Sequence, residues 1–391
     1  MLLVARFVNR LGAFSLPFLA VLLVQDHGAT PRLAGLVVGA FGLATIPSRL
    51  VGGRLSTRVG TKATVMIGLA GTAGAQVLVA VAPSLPVVLA GAVLLGLCFE
   101  IYEPASQGLV ADVTPEPSRP RAFGLLGATL ALAGLLAGLL AAAVGRVDLS
   151  WLFVADAVSA LAALVLVAVW LPTTPPPRTP HRPTDRLPSP WQDPRLLLLM
   201  TTGTTFATVY MIIPMAMPLA LVAAHRPASD AGLLQALAAL VIIAAQPVLR
   251  RSENLTGRVV AGYGLLAVGP AVAGLQPTVS GYVAATIVIA LGDVLLLGYS
   301  YALVAALAPP GARAAYFAVY GTTWGIALTV GPPAMGQLLE SGLQPFWLAC
   351  CAVMLATGVA QMGVNRVLRE PLLSSAHHPA GRTSAGARSP R

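Results

Sequence analysis

Long runs of apolar residues alternate with short polar or proline-containing segments along the whole chain. Twelve runs are long enough to cross a bilayer as helices, because about 20 residues at ~1.5 Å rise per residue cover a hydrocarbon core of ~30 Å. They lie at residues 3–24, 33–53, 63–82, 85–111, 122–144, 150–171, 195–222, 231–249, 259–275, 279–307, 314–338 and 343–365. The pattern predicts an all-helical membrane protein with twelve transmembrane spans.

A weak internal repeat divides these spans into two sets of six. Residues 109–124 read LVADVTPEPSRPRAFG and residues 303–318 read LVAALAPPGARAAYFA, with six identities at an offset of 194 positions. The offset superimposes spans 4 and 5 on spans 10 and 11. Internal repeats in an apolar chain are typical of transporters built from two related bundles. We therefore predict two pseudo-symmetric six-helix bundles.

The composition of the segments between and after the bundles sets the predicted domain boundaries. The bundles comprise residues 1–171 and 195–366. Residues 172–194 are dense in proline and charge, which favours an extended cytoplasmic linker. Residues 367–391 are polar and rich in small residues, which predicts a disordered cytoplasmic tail.

Composition and charge agree with a membrane protein and give its orientation. Apolar residues make up 57% of the chain and charged residues 10%, against roughly 25% charged residues in a soluble domain. Of 24 basic residues, 21 fall on the inner side if both termini are cytoplasmic; the exceptions are Arg32, Arg146 and Arg226. This asymmetry follows the positive-inside rule. The basic residues are scattered over several loops, which argues against nucleic-acid binding, and the three cysteines lack metal-ligand spacing.

The segment between spans 2 and 3 reads GGRLSTRVGTK. It resembles the signature loop of the major facilitator superfamily, Gly-x-x-x-Asp-Arg-x-Gly-Arg-Arg/Lys, with matches at Gly53, Arg58, Gly60 and Lys62. Thr57 and Thr61 stand where the family has an aspartate and a basic residue. The resemblance implies a loop that locks the inward gate, with Arg58, Lys62 and Asp112 as its remaining charged members. Its glycines permit a sharp turn between helix ends.

Parts of spans 4, 6, 7 and 8 resemble twelve-span bacterial drug–proton antiporters. That branch carries a Gly-Pro pair in span 5, whereas this chain has GLLAGLLAA at 134–142, which keeps small residues for close packing. The resemblance implies proton-driven efflux, with the proton gradient as energy source and no bound cofactor.

Two glutamates in span 4 are the principal candidates for proton coupling. Glu100 and Glu103 share a helix face with Gln107, and Glu100 lies ~21 Å along the span from Pro86. An ionised carboxylate at such a depth costs about 2.5 kcal/mol or more, so it must pair, bind a proton or face water. We expect the pair to take up and release one proton. The alternative is a static pair bound to Asn9, Arg10 or a hydroxyl group.

Other charged residues also fall inside spans. Asp293, midway along span 10, is the second candidate for protonation or cation binding, or else a hydrogen-bonding residue that fixes packing. Asp156 is expected to form hydrogen bonds near the interface. Arg6 and Arg10 are expected to extend to the cytoplasmic headgroups, or Arg10 to partner a glutamate of span 4.

Polar and aromatic residues at helical spacing are candidates for the substrate site. Methionine and aromatic surfaces adapt to varied apolar ligands, whereas threonine often bonds back to its own helix and aromatic residues often serve plain packing. The candidates are Tyr102, Gln107, Thr208, Tyr210, Tyr299, Tyr320 and Trp324.

Together these features predict a monomeric, multi-pass transporter of the bacterial inner membrane. No phosphate-binding loop or nucleophile–base arrangement indicates an enzyme, and no metal site is expected. The favoured function is proton-coupled efflux of small apolar or cationic compounds by alternating access, with protons, the substrate and lipid as partners. The alternatives are a carrier for another solute, such as a sugar or amino acid, and a membrane scaffold or binding protein without transport.

Overall fold

The computed structural model describes residues 2–12, 15–102, 119–171, 189–249, 255–309 and 313–376. Thirteen α-helices and no strands occur in these ranges. They are α1 (Leu2–Gly12), α2 (Ser15–Gln25), α3 (Pro31–Val59), α4 (Thr61–Ala80), α5 (Leu85–Phe99), α6 (Arg119–Val144), α7 (Ser150–Trp170), α8 (Pro194–Ala223), α9 (Ala231–Leu249), α10 (Leu255–Leu275), α11 (Val279–Leu307), α12 (Arg313–Glu340) and α13 (Leu343–Ala376).

Every predicted span contains one of these helices, and span 1 is divided into α1 and α2. Within the described ranges, nine segments are long and apolar enough to cross a membrane, and Leu85–Phe99 and Leu132–Val144 are shorter apolar helices. Two boundaries differ from the prediction. Helix α5 ends at Phe99 rather than continuing towards residue 111, and α13 continues to Ala376, into the segment assigned to a disordered tail.

Local sequence explains where the second and third spans begin. The Thr30 side chain accepts a hydrogen bond from the Leu33 amide at 3.2 Å, and Pro31 occupies the first turn of α3, where its missing N–H costs nothing. Gly60 alone separates α3 from α4, with φ at +86°, a conformation that favours glycine. This is the sharp turn expected from the loop glycines.

Helices α1–α7 form an N-terminal half and α8–α13 form a C-terminal half. The halves meet where α3 packs on α12, α6 packs on α9 and α2 packs on α8. Glycine allows two of these helix pairs to approach closely. Gly39 of α3 lies against Pro333 of α12, and Gly138 of α6 lies against Gly232 of α9. Small residues at such crossings let backbones come into contact, as predicted for span 5.

The apolar core is shared by both halves at one end of the molecule and divided at the other. The largest cluster contains Phe18 and Leu152 of the N-terminal half together with Met217 and Leu234 of the C-terminal half. We call the end with the loops at 26–30, 145–149 and 224–230 the joined end.

The opposite end carries Gly60, Leu171 and Pro194, and we call it the split end. There the described residues form two separate apolar clusters. One lies in the N-terminal half around Val65 and Val167, and the other lies in the C-terminal half around Leu199 and Val304. The two halves therefore pack as one body at the joined end and as two at the split end.

Candidate functional site

Glu100 forms an ion pair with Arg49. It is the first residue after α5, and its Oε2 accepts hydrogen bonds from Arg49 Nη2 at 3.0 Å and Nε at 3.2 Å. The Glu100 side chain is largely buried, whereas the Arg49 side chain is 40% exposed. The Ser48 hydroxyl accepts the Glu100 backbone N–H at 3.1 Å, which fixes the turn. A charge-assisted contact of this kind is among the stronger hydrogen bonds in proteins.

Arg49 also connects the two halves of the protein. Its Nη1 donates to the Gly321 carbonyl oxygen of α12 at 3.4 Å, while the rest of the guanidinium holds Glu100 of the N-terminal half. A Cβ atom at position 321 would lie 2.9 Å from this Nη1, so a larger residue there would require the guanidinium to shift. Arg49 thus links the interface between the halves to Glu100, the carboxylate that is predicted to bind a proton.

The expected paired-glutamate arrangement is only partly described. Glu103, Gln107 and Asp112 lie outside the described residues. Helix α5 ends one residue before Glu100, whose backbone angles remain in the right-handed helical region, and the rest of span 4 from residue 103 lies outside the described residues. The Glu100 carboxylate accepts hydrogen bonds from Arg49, a partner that the sequence analysis did not consider beside Asn9 and Arg10. Arg49 is the single basic residue within predicted span 2, a sequence signal that could have marked it as a candidate although it does not identify its partner.

Tyr102 packs within the N-terminal half. Its hydroxyl accepts a hydrogen bond from Asn9 Nδ2 at 2.9 Å, and the Arg6 guanidinium lies 5.3 Å from its ring centroid. Arg6 is buried, so the expectation that it extends to the headgroups is wrong. An aromatic face stabilises a cation held near it, and this contact explains the inward direction of the Arg6 side chain.

A buried polar network in the N-terminal half surrounds Asp156. Its Oδ2 accepts hydrogen bonds from Ser15 Oγ and Gln76 Nε2, both at 2.6 Å. Asp156 is 4% exposed, and these two contacts give it the hydrogen-bonding role that was expected. Sequence reasoning did not single out Gln76, which links α4 to α2 and α7.

Asp293 is buried in the C-terminal half without a full set of partners. It is 8% exposed, and no donor in the described part of the chain reaches its Oδ1. Asp293 and Arg10 both lie within electrostatic range of the Tyr210 hydroxyl. Arg10 belongs to the N-terminal half, so charged groups of both halves lie within this range of Tyr210.

Three aromatic rings meet between α8 and α12. The Tyr210 and Trp324 ring centroids are 5.3 Å apart, and Phe206 lies 5.9 Å from Tyr210 and 6.4 Å from Trp324. The structure thus brings together two of the predicted substrate residues, Tyr210 and Trp324. Phe206 completes the cluster and was not predicted.

The other described candidates are engaged within the C-terminal half. The Thr208 hydroxyl donates to the Thr204 carbonyl at 2.8 Å, the backbone bonding that was considered as its alternative role. Tyr299 and Tyr320 are buried, and Tyr320 lies against Gly203.

The loop that resembles the signature motif is anchored by Lys62. Its Nζ donates to the Ala168 carbonyl at 2.8 Å, near the end of α7, where a cation complements the helix dipole. Gly53 lies within α3, and Arg58 is exposed in its last turn. The loop therefore ties the α3–α4 turn to α7 of the same half.

Comparison with known proteins identifies the family. The sequence model described as Major Facilitator Superfamily matches residues 2–258. The uncharacterized MFS-type transporter YhjO of Bacillus subtilis (strain 168) is 23% identical over 370 residues, which cover 89% of this chain and 88% of YhjO. The quinolone resistance protein NorA of Staphylococcus aureus (strain MRSA252) is 31% identical over 115 residues, 29% of each chain.

Solved structures show the same fold. A POT family transporter in complex with a thioalcohol-conjugated peptide superimposes with a TM-score of 0.79 at 12% identity, covering 94% of this chain and 96% of that chain. The same family is indicated by the sequence match and by the two packed halves, whose apolar core is shared at one end and divided at the other. This multi-pass membrane protein belongs to the Major Facilitator Superfamily and is a transporter rather than an enzyme.

Proposed function

We propose that this transporter exports small apolar or cationic compounds in exchange for protons, with Glu100 as a proton-binding residue. The observation that carries the proposal is the contact of Arg49 with both Glu100 and the Gly321 carbonyl. A proton on Glu100 would remove the negative charge that holds the guanidinium. The position of Arg49 at the interface between the halves would then depend on the protonation of Glu100.

The aromatic cluster supports the substrate class. Tyr210 and Trp324 are half-buried around the buried Phe206, and their aromatic faces provide apolar surface that attracts cations. Asp293 supplies a buried carboxyl group in the same half, and we propose it as the second proton- or cation-binding residue. The local similarity to a quinolone resistance protein agrees with export of drug-like compounds.

The charge asymmetry supports an orientation with both termini in the cytoplasm of a bacterial cell and the split end facing inward. In that orientation the end at which the core is divided would face the cytoplasm, and we propose that the protein acts as a monomer in the inner membrane. Residues 1–171 and 195–366 would then move as two bundles during alternating access.

Proton movement in sealed proteoliposomes tests the proposal. A lumenal pH dye reports whether lipophilic cations or antibiotics dissipate a preset pH gradient. We expect one or more compounds to do so with wild type, and we expect Glu100→Gln and Asp293→Asn to abolish the response. Glu340→Gln is the matched control, because Glu340 is exposed at the end of α12, and it should respond as wild type does.

Two results would contradict the proposal. If no compound moves protons in folded protein, drug–proton exchange is excluded, and sugars and amino acids are the next substrates to assay in the same vesicles. If compounds move protons equally in wild type and Glu100→Gln, the exchange stands but Glu100 is not its proton-binding residue.

A substitution of glycine, which leaves every charge in place, tests the contact between Arg49 and Gly321. Gly321→Ala places a Cβ atom 2.9 Å from Arg49 Nη1, whereas Gly325→Ala on the same helix meets Ile46 Cγ1 at 3.2 Å. We expect Gly321→Ala to slow proton exchange more than Gly325→Ala. In an Arg49→Gln background the difference should vanish, since residues in contact give non-additive effects.

A further inference from the structure

Asp230 accepts two arginines at the joined end. It lies in the short turn Ala228–Asp230 that precedes α9, and it is 8% exposed. Its Oδ1 is 3.1 Å from Arg146 Nη2, and its Oδ2 is 3.3 Å from Arg226 Nη2. Arg146 follows α6 of the N-terminal half, whereas Arg226 lies four residues before Asp230. One ion pair therefore crosses between the halves and the other stays within the C-terminal half.

The surroundings of this ion pair are closely packed. Ser229 is fully buried, and a Cβ atom at Gly145 would lie 2.9 Å from the Ser229 Cβ. A short way along the same two helices, Gly138 contacts Gly232. A solute has no route between α6 and α9 while these contacts persist. Opening the joined end must separate Arg146 from Asp230.

The few basic residues of the joined end are concentrated at Asp230. The predicted orientation leaves Arg32, Arg146 and Arg226 as the basic residues of the joined-end side, and two of these three converge on one buried carboxylate. A buried carboxylate that loses its only partner is strongly destabilised. Arg226 moves with Asp230, so the carboxylate keeps one partner when Arg146 leaves. This arrangement makes the crossing pair separable.

We propose that Arg146 and Asp230 form a lock that favours the joined state, and that Arg226 keeps Asp230 paired while the lock is open. The lock requires only that the halves alternate between two arrangements. It is independent of the substrate and of proton coupling at Glu100, so its failure would leave that proposed function standing.

Distances across the joined end test the lock in the full chain. Val81 and Leu275 are both 67% exposed, lie at this end in opposite halves and are remote in sequence from Asp230. After Cys98, Cys350 and Cys351 are replaced by serine, Val81→Cys and Leu275→Cys carry spin labels for pulsed electron paramagnetic resonance in proteoliposomes. The ratio of long to short distances reports how far the joined end opens.

We expect Arg146→Gln and Asp230→Asn to raise this ratio about fivefold, the upper range for a pair with an exposed donor. Arg226→Gln should not raise it, because the crossing pair remains. Arg146→Lys should return the ratio towards wild type. The matched control is Arg32→Gln, which removes an exposed arginine at the same end and should have no effect.

The lock is wrong if Arg146→Gln gives the wild-type ratio, or if Arg32→Gln changes it as much. A second measurement varies the salt concentration and leaves both members of the ion pair in place. Raising the salt concentration screens exposed charges, so it should increase the long-distance population of wild type. Arg146→Lys, which keeps the pair, should respond in the same direction, and an unchanged wild-type ratio between low and high salt would also overturn the lock.

Discussion

The contact between α6 and α9 predicts that Gly138→Ala opens the joined end. A Cβ atom at Gly138 would lie 2.5 Å from the Gly232 carbonyl oxygen and 2.7 Å from the Ala236 backbone nitrogen. Both are backbone atoms, which cannot move away as a side chain can by changing its rotamer. The helices must therefore separate by about 0.9 Å to reach an ordinary contact of 3.4 Å.

The size of the effect follows from this overlap. An extra methyl group in a tightly packed contact costs about 1–3 kcal/mol, and each ~1.4 kcal/mol changes an equilibrium tenfold. Only the joined state bears the cost, so the ratio of open to joined forms should rise roughly fivefold to a hundredfold. Alanine also favours the helix by about 1 kcal/mol relative to glycine, but it does so in both states.

The spin-label distance between positions 81 and 275 measures this ratio. Gly134→Ala is the matched control, because it lies one turn earlier on α6 and a Cβ atom there would meet nothing within 4 Å. It carries the same gain in helix propensity without the overlap. Equal distance distributions for Gly138→Ala and Gly134→Ala would refute the view that backbone contact at Gly138 holds the halves together.

Three further substitutions test local features. Gly60→Ala should lower stability by about 1–3 kcal/mol, because φ at this residue is +86°; a thermal unfolding curve of the purified protein that matches wild type would contradict this. Gln76→Leu removes a donor at 2.6 Å from the buried Asp156 carboxylate and should cost about 1–3 kcal/mol in the same assay, whereas an equal midpoint would mean that the network contributes nothing. Burial, with a smaller contribution from the Asp148 charge, raises the pKa of Asp26. Folding therefore favours its protonated form, so stability should fall as pH rises from the unfolded value of about 3.9 through the higher folded pKa; Asp26→Asn should lack this fall above about pH 4, and an unchanged pH profile would contradict the assignment.

Hydropathy predicted the helices well because the bilayer constrains their length and composition directly. A span must satisfy its backbone internally and present apolar side chains along ~30 Å. The repeat and the proline-rich segment predicted a division into halves, because both are properties of the chain itself and do not depend on how the helices pack. Gly60 was predictable because a single-residue turn leaves few alternatives to glycine.

The partner of Glu100 was not predictable from the same pattern. Arg49 is 51 positions away in the chain, and the contact depends on how α3 and α5 are rotated about their axes. An apolar run fixes neither rotation nor tilt, which packing against neighbouring helices determines. The burial of Arg6 over the Tyr102 ring has the same origin. Periodicity identified the chemistry that the site contains, but not the pairs that it forms.

The divided core explains why single contacts can control the balance between states. Opening the joined end exposes apolar surface around Phe18 and Met217, a cost far larger than any one ion pair. At the split end the clusters around Val65 and Leu199 are separate, and closing that end would bury new surface. These two large terms oppose each other, so we expect the free-energy difference between the states to be only a few kcal/mol. Against so small a difference, the lock of Arg146 with Asp230 and the glycine contact at Gly138 are large enough to decide which end is open.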